Sequence, residues 1–166
     1  MPEPTEAQVG AALRERSLTV AVAESCTGGL VLHRLTNIPG SSAYVLGGVV
    51  AYANAIKQGV LKVKQGTLIA HGAVSAETAQ EMADGVRELF KADYAVSITG
   101  VAGPDGGTAE KPVGLTYIAL AGPDGQRAVE RHLWDGDRAA VKAASAEAAL
   151  ALLLRAVAGN GPPAAR

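Results

Sequence analysis

Apolar residues alternate along this chain between short unbroken runs and helically spaced stripes, the pattern of strands buried under helices. Thr5 and Glu6, followed by Val9, Ala12 and Leu13, predict a capped amphipathic helix ending near Ser17. The run from Leu18 to Ala23 predicts a central strand covered on both faces. Residues 29–35 return to helical spacing, and the Ile-Pro-Gly-Ser-Ser segment at 38–42 stops that helix and opens a loop with two free hydroxyls.

Leu46 to Ala53 reads as a second strand through Val49, Val50 and Tyr52, with Asn54 placed to cap a short helix carrying Ile56, Lys57 and Val60. Ser75 is a good N-cap for a longer helix whose stripe is Ala79, Met82, Ala83, Val86, Leu89 and Phe90. Tyr94 to Thr99 predicts another buried strand leading into the glycine-rich loop 100–107. Val113 to Ala121 and Arg127 to Trp134, joined by Gly-Pro-Asp-Gly at 122–125, predict an antiparallel hairpin. Asp137 then caps a last helix through Val141, Ala144, Ala148, Leu152 and Leu153.

The resulting order predicts an α/β fold, a three-layer α/β/α sandwich with a mixed, mostly parallel central sheet. A single domain is expected over 1–158, and the Gly-, Pro- and Ala-rich tail 159–166 is expected to be disordered.

Composition narrows the function classes. Fifteen basic against 16 acidic residues give a net charge of −1, which offers no footprint for nucleic acid or an anionic membrane, and 4% aromatic residues leave few stacking platforms. The apolar segment 146–158 is interrupted by Glu147 and Arg155 and is too short to span a bilayer. Cys26 is the only cysteine and no leader pattern is visible, so the expected location is cytoplasmic. His33, His71 and His132 lie far apart, without ligand spacing, so no metal site is expected.

The most informative segment is Ala-Glu-Ser-Cys-Thr-Gly-Gly at 23–29, where a strand becomes a helix. Ser25 and Thr27 put hydroxyls there, and Gly28 and Gly29 let a ligand approach main-chain N–H groups. The same residues would serve equally to cap and pack the helix.

Five further segments accompany it in order: Pro-Gly-Ser-Ser at 39–42, Tyr52 with Asn54 and Lys57, His-Gly-Ala-Val-Ser at 71–75, Ser-Ile-Thr-Gly-Val-Ala-Gly-Pro-Asp-Gly-Gly at 97–107, and Gly-Asp-Arg at 136–138. Together with Glu-Lys-Pro-Val-Gly at 110–114 they resemble the CinA C-terminal family over nearly the whole chain. Family members similar to this chain are nicotinamide-nucleotide amidases, which hydrolyse nicotinamide mononucleotide to nicotinic acid mononucleotide and ammonia in pyridine nucleotide salvage. Many longer relatives add a domain similar to molybdopterin-binding proteins, absent from these 166 residues, so the resemblance implies a stand-alone amidase.

Amide hydrolysis needs a nucleophile, a proton shuttle and oxyanion donors. The resemblance implies a serine–lysine arrangement, with Ser42 as nucleophile, Lys57 as base and Tyr52 as partner in proton transfer or orientation. Keeping a lysine neutral near pH 7 costs about 4–5 kcal/mol unless its surroundings help. Ser25 competes for the nucleophile role but is assigned to binding or oxyanion support, lining the pocket with Glu24, Thr27 and Gly28. Thr99, at a strand end, is carried over as a substrate contact, and Arg138 suits a phosphate.

Asp105 and Glu110 could suggest magnesium, but Pro-Asp-Gly-Gly at 104–107 is first a turn sequence, and serine–lysine hydrolysis requires neither metal nor other cofactor. The implied ligand is nicotinamide mononucleotide, with no nucleic-acid or membrane partner, and self-association is expected with a dimer preferred. Two alternatives stand beside this: a non-catalytic module linked to competence or the DNA-damage response, and an amidase acting on another small carboxamide.

Overall fold

The computed structural model describes residues 1–159. It contains one five-stranded mixed sheet with helices on both faces. In chain order the elements are α1 (Thr5–Glu15), β1 (Val20–Glu24), α2 (Leu30–Thr36), β2 (Val45–Val50), α3 (Asn54–Gly59), α4 (Gln65–His71), α5 (Ala76–Phe90), β3 (Tyr94–Gly100), β4 (Leu115–Ala121), β5 (Arg127–Leu133) and α6 (Arg138–Gly159). The expected tail falls, except for Gly159, outside the described residues; Gly159 itself ends α6.

The strand order is β2-β1-β3-β4-β5. Strand β1 runs parallel to both its neighbours, while β3, β4 and β5 pair antiparallel, so the parallel pairings sit around β1 and the hairpin forms the far edge. A register shift between Val20 and Ala21 leaves Leu46 as the extra residue on β2. A Cβ on Gly48 would stand 2.3 Å from the Val22 carbonyl oxygen, so only glycine lets β2 lie this close to β1.

Side-chain alternation along the strands divides the core into two layers. Val20, Val22, Val96 and Ile98 pack with α1, α2 and α6, whereas Ala21, Ala23 and Ala95 face Met82 and Val86 of α5. The small residues on that second face let α5 approach until the Ser97 hydroxyl donates to the Ala79 carbonyl at 2.5 Å.

Ser75 caps α5 by accepting from the Thr78 N–H, and Asp137 receives the Ala140 N–H at the start of α6. Other termini differ from expectation. The residue before α1 is Pro4, and the Thr5 hydroxyl instead donates to Glu147 of α6. Asn54 is the first residue of α3 and Ala53 precedes it without a side-chain cap. Helix α4 was not legible in the pattern: it buries none of its residues, and Ile69 is exposed.

Candidate active site

Parallel β1 and β3 end at the same rim of the sheet, and the chain leaving neighbouring β2 returns there through Ala51 and Tyr52. Ser25 follows β1 directly, and its N–H still pairs with the Ile98 carbonyl of β3. Helix α3, which follows β2, brings Lys57 to the same rim. The Lys57 side chain is 1% exposed, and its Nζ donates to Ser25 Oγ at 3.1 Å, to the Ala51 carbonyl at 2.8 Å and to the Tyr52 carbonyl at 3.1 Å.

Burial pushes the Lys57 ammonium below its ordinary value, and only a Cys26 thiolate would oppose it. Burial also pushes that thiol up to about 11, so it stays protonated at neutral pH. A neutral amine beside a serine hydroxyl is a competent general base, and the fold supplies the desolvation that favours it.

Ser25 and Lys57 lie at the bottom of an open cleft of about 280 Å³. Thr99 lines it from the end of β3 and donates its hydroxyl proton to the Ala73 carbonyl at 2.8 Å. Arg138 closes one side from the first turn of α6; its Nη1 donates to the Gly103 carbonyl at 2.7 Å and its Nη2 to the Tyr52 phenol oxygen at 3.3 Å. Tyr52 is 62% exposed, so its carbonyl holds Lys57 while its phenol meets the guanidinium.

The structure thus brings together Ser25, Tyr52, Lys57, Thr99 and Arg138. It does not bring Ser42 to them. Ser42 is exposed in the 3-10 turn 41–43 before β2, beside the beginning of β1, where the Val20 N–H donates to the Tyr44 carbonyl. The length of β2, about 20 Å at ~3.3 Å per residue, separates that turn from the cleft. The serine that the structure sets against Lys57 is therefore Ser25, and Ser42, expected as the nucleophile, lies away from that lysine.

Glu24 and Thr27 were expected to line the pocket, but both are buried, with Glu24 on the opposite sheet face from Ser25 and hydrogen-bonded to Thr27. Gly28 lies exposed on the turn, outside the cleft lining, where an added Cβ would stand 3.7 Å from Lys142 Nζ. Cys26, Asn54 and Asp105 line the cleft without having been singled out for it. One signal points to them: each follows closely on a strand or opens a helix at the rim where parallel strands end.

Among the described residues, no group of three or more His, Cys, Asp or Glu side chains is placed to hold a metal ion. No described helix is long and apolar enough to cross a membrane.

A family model for the CinA C-terminal domain matches residues 2–157. The chain is similar to a CinA-like protein of Geotalea uraniireducens, 51% identical over 140 residues that cover 84% of this chain and 33% of that one. It is similar in structure to the competence/damage inducible protein CihA from Agrobacterium tumefaciens, with a TM-score of 0.87 and 40% identity over 95% of this chain and 98% of that one. A CinA superfamily protein from Klebsiella pneumoniae gives a TM-score of 0.89 at 36% identity, over 95% and 99%. The chain spans about a third of the length of the curated relatives it matches.

Proposed function

We propose that this chain, which belongs to the CinA C-terminal domain family, is an amidohydrolase that converts nicotinamide mononucleotide to nicotinic acid mononucleotide and ammonia, with Ser25 as nucleophile and Lys57 as its base. The observation that carries the reading is the 3.1 Å contact between Ser25 Oγ and the buried Lys57 Nζ.

In the neutral state the Lys57 amine accepts the Ser25 proton as Oγ attacks the carboxamide carbon, giving a tetrahedral oxyanion. The resulting ammonium returns that proton to the departing nitrogen, the C–N bond breaks, and ammonia leaves behind an ester on Ser25. Water then attacks the ester carbon, Lys57 takes a proton from the water, and the proton passes to Ser25 Oγ as the ester bond breaks and the carboxylic acid is released.

Each neighbour has work in this scheme. The Thr99 hydroxyl has given its hydrogen to Ala73, so its oxygen is free to accept from the carboxamide N–H₂. The Arg138 guanidinium supplies a cation at the wall of the cleft, suited to a phosphate. Tyr52 orients that guanidinium through its phenol.

The test is ammonia release by the purified, chelator-treated protein from nicotinamide mononucleotide, with nicotinamide and nicotinamide adenine dinucleotide for comparison. Release from the mononucleotide that disappears in Ser25→Ala supports the reading. Equal release by Ser25→Ala, or none from any of the three by the wild type, overturns it.

A further inference from the structure

Val20, Val22 and Glu24 share one face of β1. The first two enter the apolar core, and the third puts a fully buried carboxylate beside it. A buried charge is costly unless donors satisfy it, so its bonds show what it is there to hold. Glu24 Oε1 accepts from the Thr27 hydroxyl at 2.6 Å and from the Val31 N–H at 3.0 Å; Oε2 accepts from the Leu32 N–H at 3.1 Å.

Val31 and Leu32 are the second and third residues of α2, whose N–H groups have no partner within the helix and are ordinarily met by the side chain of the N-cap residue. Here the N-cap is Gly29, which has no side chain to offer. Glu24 therefore caps α2 from the strand, reaching across the turn rather than standing at its end. Gly28 at φ 63° and Gly29 at φ 108° make that turn intrinsically permissive, so its shape has to be imposed from outside. Ser25 sits inside the loop that the three hydrogen bonds close, one residue after the carboxylate.

We infer that Glu24 is the positioning residue of the Ser25–Lys57 pair: its carboxylate locks the 25–29 turn so that Ser25 Oγ stays against Lys57 Nζ. The inference rests on the assignment of Ser25 and Lys57 as nucleophile and base. Glu24 never meets the substrate; it acts through the turn. Its side chain faces α2 while that of Ser25 faces α3, so one strand end fixes the helix on one side and presents the hydroxyl on the other.

Two substitutions test this. Glu24→Gln is nearly isosteric but sets an amide N–H₂ against one of the donors it must accept. Thr27→Val removes the hydroxyl contact and leaves the carboxylate on α2, and it decides the matter should Glu24→Gln fail to fold. The readouts, per folded molecule, are kcat and KM for nicotinamide mononucleotide and the titration of the Lys57 amine followed by NMR.

The groups facing Lys57 are the Ser25 hydroxyl, the Ala51 and Tyr52 carbonyls and the Cys26 thiol, with Asp105 and Arg138 lining the same cleft. A loosened turn admits water to Nζ and moves the titration up toward its ordinary value. Losing a negative charge at position 24 would move it down, so an upward shift reports hydration and not charge.

The expected result is a fall in kcat of about 10- to 100-fold, with KM within about threefold and the Lys57 titration raised. Turnover within about twofold of wild type, with that titration unmoved, reduces Glu24 to a helix cap and overturns the inference. If the wild type hydrolyses no carboxamide, the amidase reading has failed, and the Lys57 titration alone still decides whether Glu24 positions the pair.

Discussion

Lys57 Nζ stands 3.1 Å from Ser25 Oγ, and its two other contacts are main-chain carbonyl oxygens, those of Ala51 and Tyr52. None of these partners is charged. Ser25→Ala and Lys57→Met are therefore each expected to lower turnover by about 10³-fold or more, while nicotinamide mononucleotide still binds in a calorimetric titration. Ser42→Ala, at the far end of β2, is expected to match the wild type in ammonia release.

The same burial sets a pH dependence. Since the Lys57 value is lowered, kcat/KM falls as pH drops through that lowered value, because the protonated amine cannot accept the serine proton. For stability, the unfolded chain binds the extra proton in the window between the lowered value and the ordinary 10.5, so the Lys57 contribution is least below the window and recovers as pH rises across it. Denaturant unfolding at several pH values should show this slope in the wild type and not in Lys57→Met.

Cys26 lines the cleft next to Ser25, yet its thiol is pushed up to about 11 by burial. Iodoacetamide at pH 8 is expected to leave it unmodified in the folded protein and to modify it in denaturant, as mass spectrometry would show. Cys26→Ala should keep ammonia release at the wild-type level, since the thiol has no place in the proton path.

Arg138 reaches the cleft from α6 and is held by Gly103 and Tyr52. Arg138→Leu is expected to raise KM for nicotinamide mononucleotide by about tenfold or more, the loss of a charge-assisted contact, and to leave KM for nicotinamide riboside, which has no phosphate, unchanged. Steady-state kinetics with the two substrates check this.

Away from the site, Gly10 of α1 lies beneath the Tyr44 phenol, whose oxygen is buried without a hydrogen-bond partner. A Cβ at position 10 would come within 2.3 Å of that oxygen. Gly10→Ala is expected to destabilise by about 1–3 kcal/mol despite the better helix propensity of alanine. Tyr44→Phe removes an unsatisfied buried hydroxyl and is expected to be neutral or stabilising, and the double variant should recover only part of the loss, since the ring carbon Cζ would still stand 2.8 Å from the new Cβ. Urea denaturation of the three variants measures each effect.

Local signals were sufficient where a residue acts on its own neighbours. The apolar stripe of α5 with Ser75 at its head, the hairpin around Pro123 and the buried run of β1 were all legible, because periodicity and caps are short-range. Lys57, Tyr52, Thr99 and Arg138, named through the family motif, share the lining of one cleft. What escaped was the end of the sheet at which each motif lies. Ser42 precedes β2 and Ser25 follows β1, and since the two strands are parallel these are opposite rims. Glu24 lies outside the cleft lining for a related reason: adjacent residues on a strand point to opposite faces, so the residue before the cleft serine faces away from the cleft.

Because the chain's own carbonyl oxygens cradle the lysine, its location is written in the path of the backbone and not in any companion side chain. Position 52 thereby carries two separate instructions, a carbonyl that keeps the amine in place whatever residue stands there, and a phenol that meets the Arg138 guanidinium. An anchor for the ammonium and a prop for the guanidinium share a single residue, and change in the second need not disturb the first.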